Sequence, residues 1–395
     1  LIHNNDQPEV TLNMILQLDQ QHDRYMQRCI ELAQQARGQT APNPMVGSVI
    51  VKNGVIIGEG FHPKAGEPHA EIFAIRDAQK NAQNNAQKTG EDLRDSTLYV
   101  NLEPCNHYGR TPPCSEAIVQ AGIGEVVIGA IDANPLVAGT GCDRLRAAGI
   151  KVTTGVLEDE CLALNEAFFH RIKTNLPFGI FKYAMTLDGK IATTTGHSYW
   201  ITGKESRQIV HDLRVGCDAI ITGGNTVRLD NPHLTTHGLS PHSPLRVVIT
   251  KSCDLPEDAN LWKITDNTKT LVVTVPDRHL ELKNLELKQK LRDRGVEILE
   301  LEDISPRIVM QELGKRGFNT VLWECGGRLS AAAIKAQMVQ KVYAFIAPKL
   351  IGGFAAPSPI DDLGLDFMTS AIDLLRPKFQ QIGTDFLITG YLDSV

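Results

Sequence analysis

The chain has 395 residues, which at roughly 150 residues per domain argues for two or three packed units. Hydrophobic residues make up 42% and charged residues 22%, the balance of a soluble globular protein, so a mostly disordered chain is excluded. With 40 Lys plus Arg against 46 Asp plus Glu the formal charge is −6; no basic excess exists to gather phosphate backbones, and nucleic acid is not the expected partner. No run approaches the roughly 18 apolar residues of a membrane span, and the chain does not open on a basic segment followed by an apolar one. Eight scattered cysteines suit free thiols or metal ligands in a reducing compartment. We therefore expect a cytoplasmic protein with no membrane partner.

Residues 1–22 are polar around a short apolar patch from Met14 to Leu18 and read as a mobile extension. From Asp23 the spacing of Tyr25, Cys29, Leu32, Ala33 and Ala36 predicts a helix, with Gly38 as its stop. VGSVIV and VIIGEGF flank Asn53-Gly54 and predict a hairpin, because both turn residues tolerate positive φ. An alternation follows: a helix over about 69–79, strand TLYVNL over 97–102, a helix over about 114–121 punctuated by Gly122, and strand EVVIGA over 125–130. GTGCDRLRAAG and IKVTTGV add a helix and a strand, while 80–96, rich in Gln, Asn and Lys, reads as surface. This is a three-layer α/β pattern.

FFHRIKTNLP, over 168–177, ends in a proline just ahead of the fresh strand FGIFKYAM and marks a domain boundary, giving a first domain over 23–170 and a second over 177–395. The second repeats strand-like runs at DAIITGG, LRVVIT, TLVVTV, VEILEL, TVLWECGG and VYAFIAPKL, with helical pieces at ESRQIVHDLR, PRIVMQELGKRG and SAAAIKAQ. That is a second α/β domain. No repeat relates the two halves.

Three features share one chemistry: His69-Ala70-Glu71, then Pro104-Cys105, then Cys114. One imidazole and two thiolates leave the fourth corner of a tetrahedral zinc open for water, as a catalytic site requires. The metal lowers the pKa of that water, and Glu71, two residues from the His, suits the proton-shuttling carboxylate that is not itself a ligand. The usual zinc-deaminase pattern separates its cysteines by two residues; here NHYGRTPP separates them, and the spacing alone does not match. Cys105 ends a predicted strand and Cys114 opens a predicted helix, whose positive end favours thiolate. The bland alternative is that both cysteines pack as small apolar residues. Cys29, Cys142, Cys161, Cys217, Cys253 and Cys325 have no comparable His and Glu nearby in sequence and are read as structural.

HPKAGEPHAEIFAI, LEPCNHYGRTPPCSEAI and APNPMVGSVIV resemble the deaminase half of the bifunctional riboflavin-biosynthesis deaminase/reductase family, whose cysteine pair has this longer spacing. FKYAMTLDGKIAT, GHSYWIT, ITGGNTVRLDNPHLT, LWECGGRLSAAAI and FIAPKLIGG resemble its reductase half, in the family's order. The likeness spans about residues 23–395. It implies an N-terminal cytidine-deaminase-like α/β/α domain and a C-terminal dihydrofolate-reductase-like α/β domain.

Position by position, the resemblance implies Zn2+ on His69, Cys105 and Cys114, the proton shuttle on Glu71, and substrate contacts from Asn43, His62, His107 and Arg110. In the second domain it implies substrate contacts from Lys182, Ser198, Arg214, Leu234 and Glu324. NADPH contacts fall on Ala184, Trp200, Thr226, Asp230, Gly326 and Gly327. Gly326 and Gly327 stand between a strand and a helix, where backbone amides can meet a phosphate. An amide such as Asn43 satisfies the donor and acceptor edges of a pyrimidine, and Arg110 suits a sugar phosphate. For the four loop residues of the first domain the alternative is a group facing water; for Trp200 it is core packing, and for Asp230 a turn ahead of Asn231-Pro232. One departure stands out: Leu234-Thr235-Thr236-His237 places an imidazole where the family pattern has Arg.

The implied activity is two consecutive steps on one phosphoribosylated pyrimidine, a hydrolytic deamination and an NADPH-dependent reduction of the ribosyl chain, in an enzyme expected to be a homo-oligomer. The rival is a nucleic-acid base deaminase with an accessory domain. Residues 21–170 hold 13 Lys plus Arg against 18 Asp plus Glu, the wrong sign for an RNA footprint.

Overall fold

Alternation decides the first sheet. In β3 (Thr97–Leu102) and β4 (Glu125–Ala130) successive residues face opposite sides, so Leu98, Val100, Val126 and Ile128 enter one apolar core and Tyr99 and Val127 another. The structure, a computed structural model, describes residues 7–84, 93–108, 112–134, 138–263, 265 and 268–393. It divides into two compact units, Leu1–Thr174 and Asn175–Val395. Among the described residues no helix is long and apolar enough to cross a membrane.

The first unit runs α1 (Gln7–Gln34), β1 (Gly47–Lys52), β2 (Val55–Phe61), α2 (Ala70–Asn84), β3, α3 (Cys114–Ala121), β4, α4 (Thr140–Ala147), β5 (Lys151–Thr154), α5 (Glu158–Leu164) and α6 (Glu166–Thr174). The sheet order is β2-β1-β3-β4-β5, antiparallel in the β1–β2 hairpin and between β1 and β3, parallel from β3 to β5. Asn53 and Gly54 both take positive φ, 52° and 76°, as the hairpin requires. Ala74, Ala78, Ile118 and Leu145 of α2, α3 and α4 fill one core; Tyr25, Cys29, Cys161 and Phe169 of α1, α5 and α6 fill the other. The α/β/α expectation is met.

The first helix begins at Gln7, not Asp23. Glu9 to His22 holds no Gly or Pro, and Pro8 sits in the first turn, where its missing N–H has no intrahelical partner to lose. Residues 7–22, read as an extension, thus continue the helix; 1–6 lie outside the described residues, as does most of the stretch 80–96 beyond the end of α2. The close approach of α2 to the sheet rests on glycine. A Cβ on Gly58 or Gly60 would stand 2.4–2.5 Å from the Ala74 backbone, so any side chain there would push α2, and with it His69 and Glu71, off its seat.

The second unit runs β6 (Phe178–Thr186), α7 (Lys204–Val215), β7 (Ala219–Gly223), α8 (Gly224–Asp230), β8 (Leu245–Ile249), β9 (Thr270–Thr274), α9 (Leu282–Asp293), β10 (Glu297–Glu300), α10 (Pro306–Lys315), β11 (Thr320–Trp323), α11 (Gly327–Lys335), β12 (Lys341–Ala347), β13 (Leu374–Ile382) and β14 (Asp385–Leu392). Its nine-stranded sheet has the order β10-β9-β8-β7-β11-β6-β12-β14-β13. It is parallel as far as β12, and the β13–β14 ribbon adds antiparallel to that edge. Phe181, Ile221, Val321 and Trp323 meet Met310 and Leu313 of α10 and Ile334 of α11 in the larger core.

Candidate active sites

In the first unit two helix N-termini and one strand end converge. His69 stands just before α2, Cys105 follows β3, and Cys114 is the first residue of α3. The ligand atoms of the three residues all lie within 4.8 Å of one another. His69 Nδ1 is 3.6 Å from Cys105 Sγ and 3.3 Å from Cys114 Sγ. The Cys114 amide donates to Cys105 Sγ at 3.3 Å. The Cys105 thiol is lowered well below its ordinary value, first by a hydrogen bond from the Cys114 side chain and then by one from His69. The start of α3 thus turns its positive end to this sulfur.

Glu71, in the first turn of α2, is buried, and its Oε2 has no hydrogen-bond partner. Burial pushes its carboxyl up to about 7. An orphaned buried carboxylate oxygen beside one imidazole nitrogen and two sulfurs is what a zinc ion and its exchangeable water would answer, and the donor set matches the softness of zinc.

Next to the cluster, the His62 ring lies edge-on to His69 with centroids 5.4 Å apart. His62 is 2% exposed, and burial lowers its pKa, so the ring is neutral. Its Nδ1 donates to the Pro68 carbonyl at 3.0 Å, leaving Nε2 to accept from Asn43 Nδ2 at 3.0 Å. The water-facing alternative therefore fails for His62. His107 is exposed, and Arg110 lies outside the described residues. Of the six remaining cysteines five are buried, in keeping with structural roles.

In the second unit a cavity of about 1180 Å³ opens at the carboxyl ends of β6, β7 and β11, where open α/β sheets take their ligands. Lys182 and Ala184 of β6 line it, with Arg214 at the end of α7 and Thr226 and Asp230 of α8. Ser198, Leu234, Glu324, Gly326 and Gly327 complete the expected set. Trp200 does not line it: the indole is 63% exposed, with the Arg207 guanidinium 4.3 Å over its ring, so the core-packing alternative fails as well. Its neighbour Ile201 lines the cavity instead.

Glu324 is the electrostatic centre of this cavity. Its Oε2 accepts from Lys182 Nζ at 2.9 Å and Arg214 Nη2 at 3.0 Å, and its Oε1 from Arg214 Nε at 2.7 Å. These two cations overcome the opposing effect of burial and hold the carboxyl well below the carboxylate range. Ser198 Oγ donates to Asp230 Oδ1 at 2.8 Å, while burial raises the Asp230 carboxyl. A Cβ on Gly326 would meet nothing within 4 Å, whereas one on Gly327 would stand 2.8 Å from the Ser358 carbonyl oxygen. Backbone and open space therefore adjoin at the start of α11, as a bound phosphate needs. His237 stacks on His211 at 4.1 Å with an interplanar angle of 20°. Sequence reasoning singled out His237 but not its stack on His211, and it quoted the segment that holds Lys190 without singling out this cavity cation, whose Nζ reaches the Ala356 carbonyl.

The family model for the cytidine and deoxycytidylate deaminase zinc-binding region matches residues 19–130, and that for the RibD C-terminal domain matches residues 177–388. Riboflavin biosynthesis protein RibD of Synechocystis sp. is 55% identical over 374 residues, covering 95% of this chain and 96% of that protein. The chain belongs to the RibD family. Among solved structures, RibD of Acinetobacter baumannii (form 1) is 36% identical with a TM-score of 0.80, the match covering 95% of this chain and all of that one. A Thermotoga maritima structure described as a diaminohydroxyphosphoribosylaminopyrimidine deaminase/5-amino-6-(5-phosphoribosylamino)uracil reductase is 35% identical with the same score, covering 95% and 99%. This RibD chain is accordingly a bifunctional deaminase and reductase of riboflavin biosynthesis, with Zn2+ and NADPH as cofactors.

Proposed function

We propose that the first unit hydrolytically deaminates 2,5-diamino-6-(5-phosphoribosylamino)pyrimidin-4-one, and that the second reduces the ribosyl chain of the resulting uracil to ribityl with NADPH. The observation that carries this reading is the convergence of His69, Cys105 and Cys114 beside the unpartnered Oε2 of Glu71. Those three residues would hold the Zn2+, which would supply Lewis-acid activation of the attacking water. Glu71 Oε2 would take one proton from the attacking water to the ring nitrogen and then carry the second, from the added hydroxyl, to the amino group, which leaves as ammonia. The neutral His62 fixes which way the Asn43 amide points, so that Asn43 presents a set pattern to the pyrimidine edge. His107 and Arg110 complete the substrate contacts.

In the second unit NADPH supplies the hydride. Gly326 and Gly327 receive its phosphates, with Ala184, Thr226 and Asp230 along the cavity wall and Trp200 at the rim. Glu324 pins the Lys182 ammonium and the Arg214 guanidinium in place, and with Ser198 and Leu234 they hold the sugar. Asp230, raised by burial, and Lys182 handle the proton of the opening ring oxygen.

The enzyme works in the cytoplasm, whose reducing conditions suit its eight cysteine thiols. It works as a homo-oligomer: β13 is exposed along nearly its whole length, with Phe379 within it and Phe367 and Met368 ahead of it standing out, and an exposed edge strand with apolar side chains is the kind of surface a second copy covers. The test of the catalytic reading is ammonia release from the phosphoribosylated pyrimidine by the full chain, followed by NADPH oxidation that depends on the deaminated product. Release from tRNA adenosine or cytidine instead would overturn it.

A further inference from the structure

Two residues ahead of Cys105 stands a second buried carboxylate, that of Glu103, which the chemistry above does not use. It is 5% exposed, and backbone amides fill both its oxygens. Oε1 accepts from Gly141 at 2.9 Å and Cys142 at 3.2 Å; Oε2 accepts from Gly139 at 3.0 Å and Asp132 at 3.2 Å. All four belong to one stretch, the loop after β4 and the first turn of α4.

The same stretch is fastened twice more. Asn106 Nδ2 donates to the Thr140 carbonyl at 3.1 Å while its Oδ1 accepts from Ser115 Oγ at 2.8 Å. Gly141 lies so close to Pro104 that a Cβ there would stand 2.1 Å from the Pro104 carbonyl oxygen. The loop is thus bound to the residues on both sides of Cys105. It also carries Asp132, whose half-buried carboxyl, pushed up first by burial, feels the charges of His107 and Cys105.

We propose that Glu103 is a positioning residue of the deaminase: its carboxylate clamps Asp132 and the start of α4 against the Cys105 segment and so sets the wall that the pyrimidine meets beside the metal ligands. It touches neither substrate nor metal. The carboxylate form matters because only two bare oxygens answer four N–H groups. An amide in its place offers one oxygen and turns its own donors on the remaining two amides, leaving them unanswered in a buried place.

The kinetic arm of the test rests on the deaminase reading above; the exchange arm does not. Full-length zinc-loaded protein is compared with Glu103→Gln and with Gly141→Ala, which displaces the same loop while leaving Glu103 its charge. Hydrogen exchange of the amides of Asp132, Gly139, Gly141 and Cys142 is expected to quicken about tenfold in both variants. KM for ammonia release rises about tenfold, with kcat changed by less than about threefold. Zinc content stays at the wild-type level, and NADPH oxidation on the deaminated intermediate is unchanged. Faster exchange with an unchanged KM would overturn the proposal, since Glu103 would then only brace the fold. So would unchanged exchange in Glu103→Gln. If Glu103→Gln loses its zinc or its folded first unit, Gly141→Ala decides, and an unaltered KM there overturns the proposal. A wild-type protein that releases no ammonia refutes the functional reading instead, and the exchange arm still tests the clamp.

Discussion

The Glu324 carboxylate receives the Lys182 ammonium at 2.9 Å in the cavity of the second unit, where both side chains are largely withdrawn from water. With Arg214 on the same carboxylate, one negative group sets the direction of two cations. Removing that group leaves both cations buried and unanswered, a change that typically costs about 3–5 kcal/mol. Glu324→Gln is therefore expected to lower the thermal midpoint of the second unit and to cut NADPH oxidation, while ammonia release by the first unit persists. Equal stability of variant and wild type would contradict the pairing.

The same carboxylate makes stability depend on acid. Its folded pKa is held below the unfolded value of about 4.3, so its contribution is fully present above that range and fades as pH falls through it toward the lowered folded value. Unfolding followed from pH 6 downward should show Glu324→Gln losing less stability on acidification than the wild type.

His211 adds a step at milder pH. Burial, then the neighbouring His237 and Arg214, push its pKa down to about 4. The unfolded imidazole binds a proton near 6.5, so the unfolded state carries more protons between those values, and stability falls as pH drops from about 6.5 toward about 4. Glu324 opposes this shift, while Arg207 adds to it. His211→Gln should flatten that part of the stability profile. An unchanged slope would show that the stacked pair does not stay neutral.

The two adjoining glycines of the proposed cofactor site, Gly326 and Gly327, separate packing from ligand contact. Gly326→Ala meets open space, so the fold should tolerate it, and weaker NADPH binding by about tenfold or more would then report a close approach of the cofactor. Gly327→Ala meets the Ser358 carbonyl at 2.8 Å and the Asp361 amide at 3.1 Å and should disturb the cavity wall with or without cofactor. Titration calorimetry with NADPH, beside a melting curve for each variant, distinguishes the two. Tight binding by Gly326→Ala would move the phosphates elsewhere.

Much of this molecule is legible in its sequence where one physical signal dominates. Strands β3 and β4 begin and end where apolar alternation places them, and α3 runs from Cys114 to Ala121 as its spacing predicts, closed by Gly122 at φ 77°. The cluster of His69, Cys105 and Cys114 is legible because few side chains can hold zinc. The unrecognised parts carry weak or contrary signals. Helix α9 buries Asn284 and Lys288, the latter paired with Glu300 at 2.8 Å, so its inner face does not read as apolar. Strand β13 is exposed on both faces and interrupted by Pro377, which removes alternation altogether. Helix α5 is short, although Glu158, Asp159 and Glu160 in its first turn do mark a helix start. The four amides on Glu103 are out of reach in principle, since backbone donors leave no trace in residue identity.

Glu71→Gln separates chemistry from metal binding. The amide keeps the size of the side chain but cannot take a proton, so ammonia release should fall by about 10²–10⁴-fold. Zinc content and NADPH oxidation on the deaminated intermediate should both hold. Loss of zinc in this variant would make Glu71 a ligand.

The most direct measurement is metal content and ammonia release determined together on the same protein, before and after a single ligand is removed. The wild type should hold close to one zinc per chain in the first unit, and Cys105→Ser or Cys114→Ser should lose zinc and ammonia release in parallel while NADPH oxidation on the deaminated intermediate continues. A chain that still releases ammonia from the phosphoribosylated pyrimidine with no metal bound, or whose zinc is indifferent to both cysteines, would contradict the account.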